Sequence, residues 1–111
     1  MNDSILTSIK KLLGITEEYT NFDADIIMHI NTVFMTLKQL GIGPKEGFMI
    51  EDDSLSWEEF VEDSKKYTAI KTYIYLKVKI VFDPPVNSTV MEAYKQTINE
   101  LEWRLNIEAE S

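Results

Sequence analysis

Residues 65–82 read KKYTAIKTYIYLKVKIVF, and the conformation of this stretch decides the fold. Ile70, Ile74, Leu76, Val78, Ile80 and Phe82 occupy even positions, with Lys71, Tyr73, Tyr75, Lys77 and Lys79 between them. That alternation, in β-branched and aromatic residues, is the pattern of a strand. A helical projection accounts for the same residues differently. Tyr67, Ile70, Ile74, Val78 and Val81 share one face, while Lys65, Thr68, Thr72 and Lys79 form a narrow polar strip. A helix of this kind is apolar on most sides and belongs in the middle of a bundle or between subunits. The run is long for a strand, and no second long strand is present to pair it. The helix is therefore preferred, with the strand as the competing reading.

The flanking sequence supports a mainly α fold, a small bundle of four to five helices. Asp83-Pro84-Pro85 ends the central segment, because proline disfavours helix in the residue before it and lacks a backbone donor. Thr89 with Glu92 has capping-box spacing for a last helix, on which Val90, Met91, Tyr94, Ile98, Leu101 and Leu105 share a narrow face. Trp103 points to the opposite side, with Gln96 and Asn99. Upstream, Asp23–Leu40 places Ile26, Ile27, Ile30, Val33, Phe34, Leu37 and Leu40 on one stripe, with Gly41 suited to the C-terminal cap and Ile42 to the contact beyond it. Ser4–Leu13 carries Ile5, Leu6, Ile9, Leu12 and Leu13, capped by Asp3 or Ser4 and ended by Gly14. Between these, Pro44 and Gly47 break regular structure, and a short hairpin over residues 42–51 fits, with Phe48 and Ile50 in its second arm. Ser56 and Glu59 have capping-box spacing at the start of a short helix bearing Trp57, Phe60 and Val61. Residues 1–106 read as one domain, and 107–111 as a polar, flexible tail.

Composition narrows the function classes. The 111 residues suit a single domain, and 44% hydrophobic content argues against global disorder. With no cysteine and a single histidine, His29, neither disulfides nor a zinc site has the residues it needs. His29 lies at the edge of an apolar stripe and reads as structural. Gly41, Gly43 and Gly47 lack the spacing and lysine of a phosphate loop, and no catalytic triad motif occurs. No catalytic residue, cofactor site or metal site is expected. The apolar runs are too short for a membrane span, and the N-terminal stretch, with its early acid and Lys10-Lys11, does not read as a signal peptide.

The net charge of −8 is spread along the chain: residues 1–55 carry −5 and the remainder −3. Basic patches for wrapping nucleic acid are scarce. The acids serve solubility, a surface that DNA passes without sticking, or mimicry of DNA. The densest acidic run, Glu51, Asp52, Asp53, Glu58, Glu59, Glu62 and Asp63, lacks calcium-loop spacing and reads as a solvated face. Interface candidates are the surplus apolar and amphipathic residues. Met28 and Met35, with Ala24, form a second patch on the Asp23–Leu40 helix, and Trp103, on a polar face, is either an interface anchor or a second packing contact within the monomer. Lys71 and Lys77, inside an apolar segment, snorkel to a rim or pair with a neighbour's acids.

The order of ILTSIKKLLGI, DADIIMHINTVFMTLKQLG, GPKEGF, SWEEF, KTYIYLKVKIVFDPP and ELEWRL resembles the small head–tail connector proteins of tailed bacteriophages over nearly the full chain. These are head-completion adaptors, also described as DNA-packaging proteins. The resemblance implies a non-enzymatic virion assembly protein with a helical fold. Such a protein forms a ring, typically twelvefold, on the portal, extends the DNA channel without sequence-specific binding, and receives a downstream connector or stopper. It also implies residence at the head–tail junction of the virion, and in the host bacterial cytoplasm during assembly, from a phage or a prophage. The charge alone supports a competing function, an acidic regulatory protein that binds a host nucleic-acid-binding protein. An enzyme with a convergent acidic pocket is the third reading.

Overall fold

The computed structural model describes residues 4–62 and 64–110. The chain folds into α1 (Ile5–Leu12), α2 (Asp23–Gln39), the single turn α3 (Trp57–Phe60), α4 (Ser64–Phe82) and α5 (Ser88–Glu110). The disputed stretch is helical: α4 takes it up whole and stops at Asp83-Pro84-Pro85. Ile70, Tyr73, Ile74, Leu76 and Val78 are all buried, which no single-sided helix would show. Packing makes this helix, because neighbours on several sides offset the cost of ordering β-branched side chains in a helix. α2 lies along one side of α4, α5 along another, and α1 closes a third. Val81 departs from the expected buried face: it is exposed, although its neighbours Ile80 and Phe82 pack against the core.

The core spans the whole described chain, from Ile5, Leu6 and Ile9 of α1 through Ile26, Ile30, Val33, Phe34 and Leu37 of α2 to Ile98 and Leu105 of α5. α5 is held lightly for its length. Ile98 and Leu105 are buried, Met91, Tyr94 and Leu101 half-buried, and Val90 exposed.

Several helix ends form as the residues dictate. Ser4 Oγ accepts from Thr7 N–H at 3.2 Å, while Asp3 lies outside the described residues. At the end of α2, Ile42 N–H donates to Leu37 O at 2.9 Å and Gly41 N–H to Lys38 O at 3.0 Å. This is a Schellman cap, with Gly41 at φ +85°. Other ends differ. α5 begins one residue before Thr89 and is capped by Asn87, whose Oδ1 accepts from Thr89 N–H at 2.8 Å and Val90 N–H at 3.2 Å. Asn outcompetes the expected Thr89–Glu92 box because its side chain follows Pro84-Pro85, where the chain is already non-helical. At α3, Ser56 makes no side-chain cap bond; its hydroxyl is buried without a partner, and Glu59 is exposed. α5 continues through residues 107–110, the stretch read as polar tail, and Ala109 Cβ would be 3.4 Å from a Cβ built on Gly41.

No hairpin forms over residues 42–51, and among the described residues the one β-type pairing is the isolated bridge Ser4–Ser56. The segment is held from the side instead. Asn31 of α2 pairs with the backbone of Ile50, donating from Nδ2 to Ile50 O at 2.9 Å and accepting from Ile50 N–H on Oδ1 at 2.8 Å. One side-chain amide thus replaces a partner strand. Phe48 then joins Phe34 and Phe60 in a cluster with centroids 4.8–5.1 Å apart. Gly43, at φ +90°, lies against this cluster, and a Cβ there would come within 2.4 Å of the Phe60 ring.

Ile74→Ala should lower stability by about 2–5 kcal/mol, the usual cost of emptying a buried isoleucine site. Val81→Ala on the same helix should stay within roughly 0.5 kcal/mol. Urea unfolding of both variants checks the orientation of α4.

Candidate interaction surfaces

The described residues contain no group of three or more His, Asp or Glu side chains placed to hold a metal ion. No helix among them is long and apolar enough to cross a membrane. His29 is half-buried on α2. Asp52 is exposed and accepts from Ser54 N–H at 2.9 Å; its hydrogen bonding to Ser54, chiefly through the side chain, lowers its pKa below the ordinary carboxylate value. Asp63 lies outside the described residues.

Surplus apolar surface is plain. Met28 is 56% exposed, Met35 66% and Trp103 67%. Met28 and Met35 line a shallow groove of about 390 Å³ with Ala24, Ile27 and Thr32, and the opposite wall includes Met49. A second groove, about 370 Å³, continues past Met35 and Met49 to Phe34, Phe48 and Lys38. Met49 was invisible as a site residue because its neighbour Ile50 is drawn in by Asn31, which turns Met49 outward beside α2. Unbranched methionine side chains suit a surface that must adapt to a partner.

Trp103 is on the face of α5 opposite Ile98 and Leu105, and Ile107, one turn on, is exposed beside it. Lys71 and Lys77 are both half-buried on α4. Lys77 Nζ lies 5.8 Å from the Tyr73 ring centroid, a cation–π contact within the chain. Lys79, by contrast, reaches Asp83 at 2.8 Å, and this hydrogen bond, foremost, raises its pKa above the ordinary lysine value.

Two buried polar groups fix how these surfaces are presented. The Lys10 side chain is 3% exposed, and its ammonium meets Asp23 Oδ1 at 2.8 Å, Tyr19 O at 2.8 Å and Glu17 O at 3.1 Å. The two carbonyls accept hydrogen bonds from the ammonium, and the carboxylate pairs with its charge. Lys10 therefore ties the α1–α2 connection to the first turn of α2, the end that carries Ala24 and Met28. Sequence alone offers no sign of this, because Lys10 and Lys11 look alike and only the fold buries one. Tyr73 is the second group. Its hydroxyl is buried without a hydrogen bond of good geometry, and burial first, then the nearby charge of Glu102 on α5, hold its pKa well above the ordinary value.

Two comparisons return nothing: no curated protein and no solved structure matches the chain. One family does match, that described as "Phage connector protein", over residues 5–111.

Lys10→Ala should cost about 2–4 kcal/mol, short of the roughly 3–5 for breaking a fully buried pair because Asp23 is 26% exposed. Tyr73 supplies a pH test. Its pKa is raised on folding, so above about pH 10 the unfolded chain loses a proton that the folded chain keeps, and stability falls as pH rises. Tyr73→Phe should keep neutral-pH stability within about 1 kcal/mol and flatten that alkaline fall, read by denaturant melts at stepped pH.

Proposed function

The chain belongs to the phage connector protein family, and from that premise we propose that it is a head-completion adaptor that assembles as a ring on the portal. The match over residues 5–111 carries this reading, because it takes in every described helix. The ring extends the DNA channel, lets DNA pass without sequence-specific binding, and offers its far side to a downstream connector or stopper. It catalyses nothing and needs no cofactor.

Two physical features support an assembly role. Exposed Met28, Met35 and Met49 line one groove and Trp103 stands on a separate helix face, apolar surface of the kind interaction sites use. The net charge of −8 gives DNA a surface that repels phosphate and lets it slide. Ring symmetry follows the portal, so twelve copies are expected in the virion, beside the portal and within the host cytoplasm during assembly.

Electron microscopy of the protein mixed with its cognate portal should show added density on the tail-facing side, with the portal's rotational symmetry. Portal particles unchanged by excess protein would contradict the proposal.

A further inference from the structure

We propose that the methionine groove on α2 is filled by the Trp103 face of α5 from a second copy of this chain. The inference rests on the ring reading above and names the contact that would close the ring.

Groove and knob lie on different helices and are both uncovered within one chain. The groove face of α2 runs through Met28, Met35 and Lys38; the exposed face of α5 runs through Glu100, Trp103 and Ile107. Charges flank both faces: Lys38 and Glu46 line the groove beside Met35, and Glu100 and Arg104 are exposed beside Trp103. None of the four forms an ion pair among the described residues.

The spacing matches when the helices run antiparallel. Lys38 to Met35 and Glu100 to Trp103 are both three residues, about 4.5 Å of helix. Setting Glu100 against Lys38 therefore sets Trp103 against Met35. Ile107, about 10.5 Å from Glu100, then falls level with Asn31, next to Thr32 and between Met28 and Met35. The parallel arrangement with Trp103 on Met35 separates the two charges, leaving Lys38 level with Asn106 and Glu100 with Thr32. A tryptophan entering a methionine-lined groove is a strong apolar anchor, and the Lys38–Glu100 pair at the end fixes direction.

Because the two surfaces differ, the contact is heterologous. Each copy offers a groove to one neighbour and a knob to the other, which propagates head to tail and closes when the rotation allows.

The absence of native cysteine makes the test direct. Thr32→Cys and Ile107→Cys, placed together in one full-length chain, leave Met28, Met35 and Trp103 in place. On portal-bound rings, mild oxidation should link neighbouring copies into a ladder, and the control Thr32→Cys with Lys95→Cys should not. Lys38→Glu and Glu100→Lys should each lose ring assembly alone and recover it when combined. Rings without the ladder, with Thr32→Cys linked instead to a portal cysteine, or without charge-swap rescue would overturn this contact while leaving the adaptor role standing. Failure of the unmutated chain to form a ring would overturn the adaptor role itself.

Discussion

The burial of α4 is the constraint on which the other elements depend. A helix with Ile70, Tyr73, Ile74, Leu76 and Val78 all out of water cannot persist at a surface. It requires cover on several sides, and α1, α2 and α5 are placed to supply it. Once those helices have turned their apolar stripes inward, their remaining apolar residues have nowhere to go within one chain. Met28 and Met35 on α2, and Trp103 and Ile107 on α5, are left outside for that reason. The same geometry that makes a stable domain thus makes an adhesive one.

Around α4, small polar devices replace the secondary structure that a larger protein would use. Asn31 stands in for a strand by pairing both backbone groups of Ile50. Lys10 gathers two carbonyls and a carboxylate to close the α1–α2 connection. The Phe34–Phe48–Phe60 cluster, packed over Gly43, ties the GPKEGF turn to the SWEEF turn. Those two short sequences contribute to the family resemblance, and here they meet in one contact. Their value is positional: they set Met49 beside α2 and complete the groove.

Much of this was legible in the residues, and what was not has a common cause. Periodicity located α2 and its Gly41 cap because both depend on contacts within a few residues. It also placed Trp103 opposite the packed face of α5, since helix phase alone decides that. The strand-like alternation of residues 65–82 was misleading because a helix buried on most sides needs no polar face, and so loses the signature that tells helix from strand. Lys10, Asn31 and Met49 were missed because each takes its role from a partner distant in sequence or from the fold around it. The Thr89–Glu92 and Ser56–Glu59 boxes failed for a local reason: spacing admits a cap, but the backbone entering the helix selects which residue serves.

Native-state hydrogen exchange tests the centre of this account most directly. Amides of residues 70–78 should exchange only through global unfolding, together with those of Ile30–Leu37 on α2, while the exposed first turns of α5 exchange through local opening. Rapid exchange across residues 70–78, or protection alternating residue by residue as in an edge strand, would contradict a buried helix at the core and the arrangement of surfaces that depends on it.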